Sequence, residues 1–502
     1  RRLVRVCCLV ACTMFAGEID DVCYFGVLTA LLLRSATSLW PYSGAGKPPM
    51  FGDYEAQRHW QEVTVNLPVT QWYENSTTND LLYWGLDYPP LTAYHSWLCG
   101  KVAEVINGSW VALNTSRGME SYDHKLFMRY TVLAADVLVY FPAVLFFWNS
   151  LRSPVRMKPR DVAIASTLTL IVPGLVLIDH GHFQYNCVSL GLSLLAVALV
   201  ERERPLLSAV AFSLALNYKQ MALYYAIPFF CYLLGCCFQR QGLGSKLRLF
   251  LGLALAVATT FGACWAPYLG SPDRALQVVR RLFPLDRGLF EDKVANIWCT
   301  LSIVVKLKNL YSPTALAFVS GLVTLGTASI SAVDVLLRPT PERFRFTLIN
   351  CSLAFFLCSY QVHEKTILFP ALAFYLILDK HPGLVVWFST LATFSMFPLL
   401  YKDGLVTPYF ALVVLNLVFV YQAYLKDVTR SSQVTLLFVL SLTGCIALNA
   451  LHLTMPPPTR YPDLHQLLNA AYSCGHFVLF LVYTHYLQFQ LPASRFTKLK
   501  KK

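Results

Sequence analysis

The chain has 502 residues, of which 56% are hydrophobic and 14% charged, with a net charge of +13. A soluble protein carries about a quarter charged residues, so a water-soluble domain is excluded. In so apolar a chain, the excess Lys and Arg reads as loop charge that orients membrane helices rather than as a nucleic-acid surface.

Taken in chain order, residues 1–21 form a poorly defined N-terminal leader. Arg1, Arg2 and Arg5 precede an apolar run that Glu18, Asp20 and Asp21 interrupt. Apolar segments then fall near 22–40, 129–148, 161–178, 184–200, 205–219, 221–238, 246–268, 314–336, 346–360, 365–379, 383–400, 405–425, 433–454 and 468–490. Runs of roughly 17–25 apolar residues span a hydrocarbon core, and only helices or closed barrels satisfy their backbone there. The pattern predicts an all-α polytopic membrane protein with about 14 transmembrane helices. Its modules are 22–268, which includes a polar first loop at 41–128, a second polar loop at 269–313, a C-terminal membrane module at 314–490 and a tail at 491–502. The fifteen cysteines, Cys7–Cys8 and Cys236–Cys237 among them, sit mostly in apolar stretches and form no metal pattern.

Charge predicts the orientation. With the N-terminus cytoplasmic, the cytoplasmic loops collect Arg152, Arg156, Lys158 and Arg160; Arg202 and Arg204; Arg240, Lys246 and Arg248; and Arg338, Arg343 and Arg345. The terminal Lys498, Lys500, Lys501 and Lys502 join them, in accord with the positive-inside rule. Three N-x-S/T sequons, at Asn75, Asn107 and Asn114, all fall in loop 41–128, on the opposite side. The tail ends in a dilysine-like pattern that resembles an endoplasmic reticulum retrieval signal; a plain positive anchor is the competing reading.

On this threading the unusual polar motifs gather on one face. They are FGDYEAQRHW and GLDYPP in loop 41–128, DHGHFQYN near 179–186, NYKQ near 217–220, RRLFPLDRGLFEDKVANIW in loop 269–313 and QVHEK near 361–365. Ionisable groups at membrane depth are costly and mark function. Plainer readings stand beside this one: His180 and His182 suit interfacial caps, Lys219 a snorkelling cation, Arg281 and Arg287 surface charges, and the Trp and Tyr residues an interfacial belt. Asp53 beside Glu55, among aromatic residues, is the strongest candidate for chemistry.

The strings GDYEAQRHWQEVTVNLPVTQWY and YWGLDYPPLTAYHS, with SRGMESYDHKLFMR, DHGHFQYN, LNYKQMALYYA, RGLFEDKVANIWC and QVHEKTILFP, resemble the endoplasmic reticulum dolichyl-phosphate-glucose α-1,3-glucosyltransferases of the GT-C superfamily. The nearest branch adds the first glucose to the nine-mannose lipid-linked oligosaccharide. Residues 1–21 do not resemble the family's usual start. The resemblance implies a GT-C fold, a luminal active site, an endoplasmic reticulum location and a cytosolic C-terminus. It further implies dolichyl phosphate glucose as donor, the dolichyl-diphosphate-linked oligosaccharide as acceptor, contact with membrane lipid and no nucleic-acid partner.

The family carries its catalytic acid in the first luminal loop, so the resemblance implies that Asp53 is the base of an inverting transfer. Cations that suit the leaving phosphate are His363, Lys365, Arg281, Arg287, Lys293, Lys219 and His182, with His363 preferred. Glu55, Arg58, His59 and Asp87 suit acceptor binding or loop positioning. No cofactor is expected; a divalent metal on the Asp53–Glu55 pair is conceivable but not required. Competing readings are the sister enzyme that adds the second glucose, an inactive partner of the same pathway, and a polytopic lipid or sugar transporter, against which stands the lack of an internal repeat.

Overall fold

The computed structural model describes residues 21–152, 157–283, 293–428 and 432–492. Among them the chain is helical, with isolated bridges at Ser76–Asn79 and Arg152–Met157 in place of any strand. Each of the fourteen apolar segments coincides with helix. Seven helices are long and apolar enough to cross a membrane, or eight if one bent pair counts as a span. The protein is a multi-pass membrane protein. The remaining apolar segments form shorter helices, such as Asn186–Glu201, Pro205–Tyr218 and Pro382–Ser395.

The chain divides into two compact units, neither continuous in sequence. The first comprises Arg1–Ala222, Gly252–Asp286 and Leu400–Tyr409. Its successive helices are α1 (Asp21–Ser38), α2 (Asp53–Asn66), α3 (Pro90–Ile106), α4 (Tyr122–Ser150), α5 (Pro159–Leu170), α6 (Pro173–Phe183), α7 (Asn186–Glu201) and α8 (Pro205–Tyr218). Proline opens α3, α5, α6 and α8, where its missing N–H costs nothing and its fixed φ suits the first turn. The Ser121 hydroxyl caps α4 by accepting from the His124 N–H.

Two features were not expected from hydropathy. The polar segment 41–128 is not a plain loop, because it folds α2 and α3 against each other. Its Trp60, Trp72 and Tyr73 are buried with Leu86, Tyr268 and Val278, so these rings build a core and not an interfacial belt. Secondly, α5 and α6 meet at a bend of 40°, and Leu177–Phe183 is wound as a wide π-turn. Such turns recur at functional sites because they re-aim side chains.

The second unit comprises Leu223–Leu251, Arg287–Leu399 and Phe410–Lys502. Its core includes a buried polar network in which the Gln488 amide donates to Asp334 at 2.9 Å and Thr347 at 3.2 Å. Arg343, read from sequence as a cytoplasmic loop charge, is buried there and pairs with Asp334 at 2.6 Å. A buried cation needs such a partner. Arg345 likewise is buried and lies 3.5 Å from Asp379.

Candidate active site

Asp53 is the first residue of α2, a position where the helix dipole favours a carboxylate. The preceding residue must be glycine on grounds of space. A Cβ on Gly52 would fall 2.5 Å from the Ser43 Oγ and 2.6 Å from the Ser43 carbonyl carbon. Ser43 holds this junction from both sides. Its N–H donates to the His182 carbonyl at 3.0 Å, and its hydroxyl accepts from the Asp53 N–H at 3.3 Å.

The π-turn of α6 supplies the partners of Asp53. His182 Nε2 lies 3.1 Å from Asp53 Oδ2, and the Gln184 amide donates to the same oxygen. Between them Phe183 sits at φ +90°, a strained backbone for a side chain with a Cβ. It is fully buried and packs edge-on against Tyr54 and Tyr185. The Arg129 guanidinium of α4 donates to the Gly181 carbonyl at 2.9 Å and fixes the same turn. The Asp53 side chain keeps 22% of its exposure, against 3% for His182. It is the accessible end of the cluster.

Lys219, just past the end of α8, is buried. Its Nζ donates to Gln184 Oε1 at 3.0 Å and Asn186 Oδ1 at 2.6 Å, and lies 4.9 Å from the centre of the Tyr88 ring. Gln184 therefore links the lysine charge to Asp53. Asn186 in turn donates to Asp179 Oδ1 at 2.7 Å, and Asp179 Oδ2 accepts from the Cys187 N–H at 2.7 Å.

Glu55, Arg58 and His59 serve another end. Arg58 bridges Glu55, at 2.6 Å, and Glu62, at 2.7 Å, and donates to the Ser116 hydroxyl at 2.5 Å. Tyr83 donates to Glu55 Oε1 at 2.8 Å, and His59 Nδ1 lies 3.3 Å from Glu62. All of these carboxylates and the guanidinium are buried. The cluster locks α2 to the rest of segment 41–128. Both Glu55 oxygens face Arg58 or Tyr83, so the Asp53-Tyr54-Glu55 triplet does not offer two carboxylates to one ion. Among the described residues no group of three or more His, Cys, Asp or Glu side chains is placed to hold a metal ion.

Of the cations named from sequence, His182 and Lys219 converge on the Asp53 cluster. Arg281, in helix Pro272–Leu282 of the same unit, donates to the Gly85 carbonyl at 2.8 Å and the Leu86 carbonyl at 3.2 Å. It braces the stretch that ends in Asp87. The Asp87 carbonyl accepts from the Gln220 amide at 3.0 Å. His363, Lys365 and Lys293 belong to the second unit. There His363 immediately precedes the short helix Glu364–Ile367, and Lys293 pairs with Asp463 at 3.0 Å. Arg287 lies outside the described residues.

The sequence reading missed Asp403, Gln184 and Asn186. The latter two stand inside DHGHFQYN, two and four residues past His182, and that proximity was the available signal. Asp403 sits in a short turn between apolar helices and touches His182 Nδ1 at 2.5 Å.

A carboxylate held half-open by an imidazole and an amide, in a multi-pass helical protein, is a candidate proton acceptor. Residues 26–483 match the ALG6, ALG8 glycosyltransferase family, and the chain belongs to that family. It is 48% identical over 481 residues to the dolichyl pyrophosphate Man9GlcNAc2 alpha-1,3-glucosyltransferase of Gallus gallus, covering 91% of this chain and 94% of the relative. The Mus musculus protein of the same name is 49% identical over 482 residues, with the same coverages. A Drosophila melanogaster relative, named as the probable enzyme of that activity, is 46% identical and covers 92% of this chain and 98% of its own.

Proposed function

We propose that this protein is an inverting glucosyltransferase that moves glucose from dolichyl phosphate glucose to Man9GlcNAc2 on dolichyl diphosphate, forming an α-1,3 linkage for protein N-glycosylation. Family membership and relatives of that name across vertebrates and insects support the acceptor, and favour this reading over the sister enzyme. The GT-C architecture with about 14 spans, the endoplasmic reticulum location, the luminal site and the cytosolic C-terminus belong to the same proposal. The sequons and the charge pattern of the loops support them.

The single observation that carries the chemistry is Asp53, held by His182 and Gln184 yet still accessible. In one displacement, a mannose hydroxyl oxygen bonds to the anomeric carbon as the carbon–oxygen bond to phosphate breaks. The bonding electrons leave with dolichyl phosphate, and the hydroxyl proton goes to Asp53. General-base help of this kind is worth roughly 10²–10⁴ in rate. Lys219 is the nearby cation that balances the leaving charge, through Gln184 and Asn186.

The test is Asp53→Asn in vesicles with purified protein, donor and the nine-mannose acceptor. Transfer falls by about 10²–10⁴ while folded protein persists. Near-normal transfer by Asp53→Asn removes Asp53 as base. Preference for an acceptor already bearing one glucose reassigns the enzyme to its sister reaction.

A further inference from the structure

We propose that Asp403 is a positioning residue for the transfer step: acting through His182, it keeps the imidazole doubly protonated and aimed at Asp53. This rests on Asp53 being the base. The geometry is a three-member chain in which His182 Nδ1 lies 2.5 Å from Asp403 Oδ2 and His182 Nε2 lies 3.1 Å from Asp53 Oδ2. The three residues come from the turn after helix Phe397–Lys402, from α6 and from the start of α2. Asp403 and His182 are both buried, and Asp53 is the partly exposed end.

Proton counting sets the state of the ring. A neutral imidazole has one N–H and one lone pair. Between two carboxylate oxygens, it would set that lone pair against one of them. The imidazolium donates to both. Asp403 therefore holds the proton on Nδ1, and the Nε2–H that results holds Asp53 ionised and oriented.

The groups around His182 act in both directions. Asp53 comes from α2 and Asp403 from the turn. On α6 itself lie Asp179 and His180, with His180 paired to Asp136 of α4 at 2.5 Å and Asp136 to Arg34 of α1 at 2.8 Å. Arg129 of α4 reaches the Gly181 carbonyl, and Lys219 lies beyond Gln184. Tyr88 lies under Lys219. Arg129 and Lys219 oppose a cationic ring from the Gly181 carbonyl and from beyond Gln184. The two carboxylates touch it directly, so they decide its state.

The step keeps its balance. The acceptor proton moves to Asp53 as the new glycosidic bond forms, and His182 retains both of its protons throughout. Asp403 touches neither substrate in this scheme; it sets the base on which the transfer depends.

The experiment uses the full chain in vesicles with donor and acceptor, reading kcat and KM against pH. Asp403→Asn weakens the hold on the His182 proton, so Asp53 loses a neighbouring positive charge and protonates more readily. The acid limb of kcat then moves up by about one pH unit. At neutral pH kcat falls about 10- to 100-fold, the size found when the carboxylate behind a metal-ligating imidazole is lost. Both KM values stay within about twofold, and Asp403→Glu restores most of kcat. His182→Gln, which still offers an amide donor but cannot titrate, removes the alkaline limb.

Wild-type kcat and pH profile in Asp403→Asn overturn the proposal, while an inactive Asp53→Asn leaves the base assignment standing. An active Asp53→Asn sinks that assignment instead. If Asp403→Asn fails to fold, His182→Gln decides, and an unchanged alkaline limb in that variant overturns the proposal.

Discussion

Asp53 and His182 stand 129 positions apart in the chain, and their side chains meet at 3.1 Å. The contact depends on backbone as much as on side chains. Ser43 donates to the carbonyl of one and accepts from the amide of the other. The bend and the wide turn of α6 bring the imidazole to the start of α2.

Gly52→Ala is expected to damage activity more than stability. The added Cβ would meet Ser43 backbone at 2.6 Å, and backbone cannot swing aside as a side-chain tip can. Overpacking of this kind costs about 1–3 kcal/mol, and relief comes from shifting the start of α2, which carries Asp53. The readout is kcat falling at least tenfold, an order-of-magnitude figure for a misplaced reacting group, in protein that still purifies as a single species. Unchanged kcat would show that the junction tolerates displacement.

The buried cluster around Arg58 sets an acid limit on stability. Burial by itself raises the Glu62 carboxyl, but the hydrogen bond with His59 and the charge of Arg58 outweigh it and hold the group at about 2, from 4.5. A depressed carboxyl contributes stability that is complete above its unfolded value and is lost as pH falls through its folded one. The melting temperature of the purified protein is therefore expected to decline from about pH 4.5 towards pH 2 through this group. Glu62→Gln should lower the plateau and flatten that slope. Arg58→Met strands two buried carboxylates and is expected to cost about 3–5 kcal/mol, read as loss of folded protein.

Arg281 and Lys219 separate a brace from a charge that serves catalysis. Arg281→Gln loses its hold on the Gly85 and Leu86 carbonyls, so acceptor KM should rise severalfold with kcat little changed. Lys219→Met removes the cation behind Gln184 and Asn186. Its kcat should fall by about 10²-fold, as for other preorganised charges. The reverse pattern would make Arg281 the phosphate contact and Lys219 the brace.

The helices are legible because apolar runs of spanning length leave little choice in lipid. Helix α2 is less so. Glu55, Arg58, His59 and Glu62 make it look solvated, yet they are buried and satisfy one another, and such pairing is decided by the tertiary fold. Of the site, Asp53, His182 and Lys219 stand out in sequence because charge beside apolar runs is conspicuous. Asp403 does not, since Tyr401-Lys402-Asp403-Gly404 reads as an ordinary turn. Its partner lies 221 positions earlier in the chain, beyond the reach of any local pattern. The aromatic residues misled for a related reason: composition gives their abundance but not which rings turn inward.

Arg58 is shared by two acids of its own helix and by Ser116, from the stretch that follows α3. Detaching Arg58 leaves two carboxylates stranded in a dry interior. The 41–128 segment therefore has no half-open form at low cost. It closes or melts as one cooperative block, and amide exchange across it should report a single opening event.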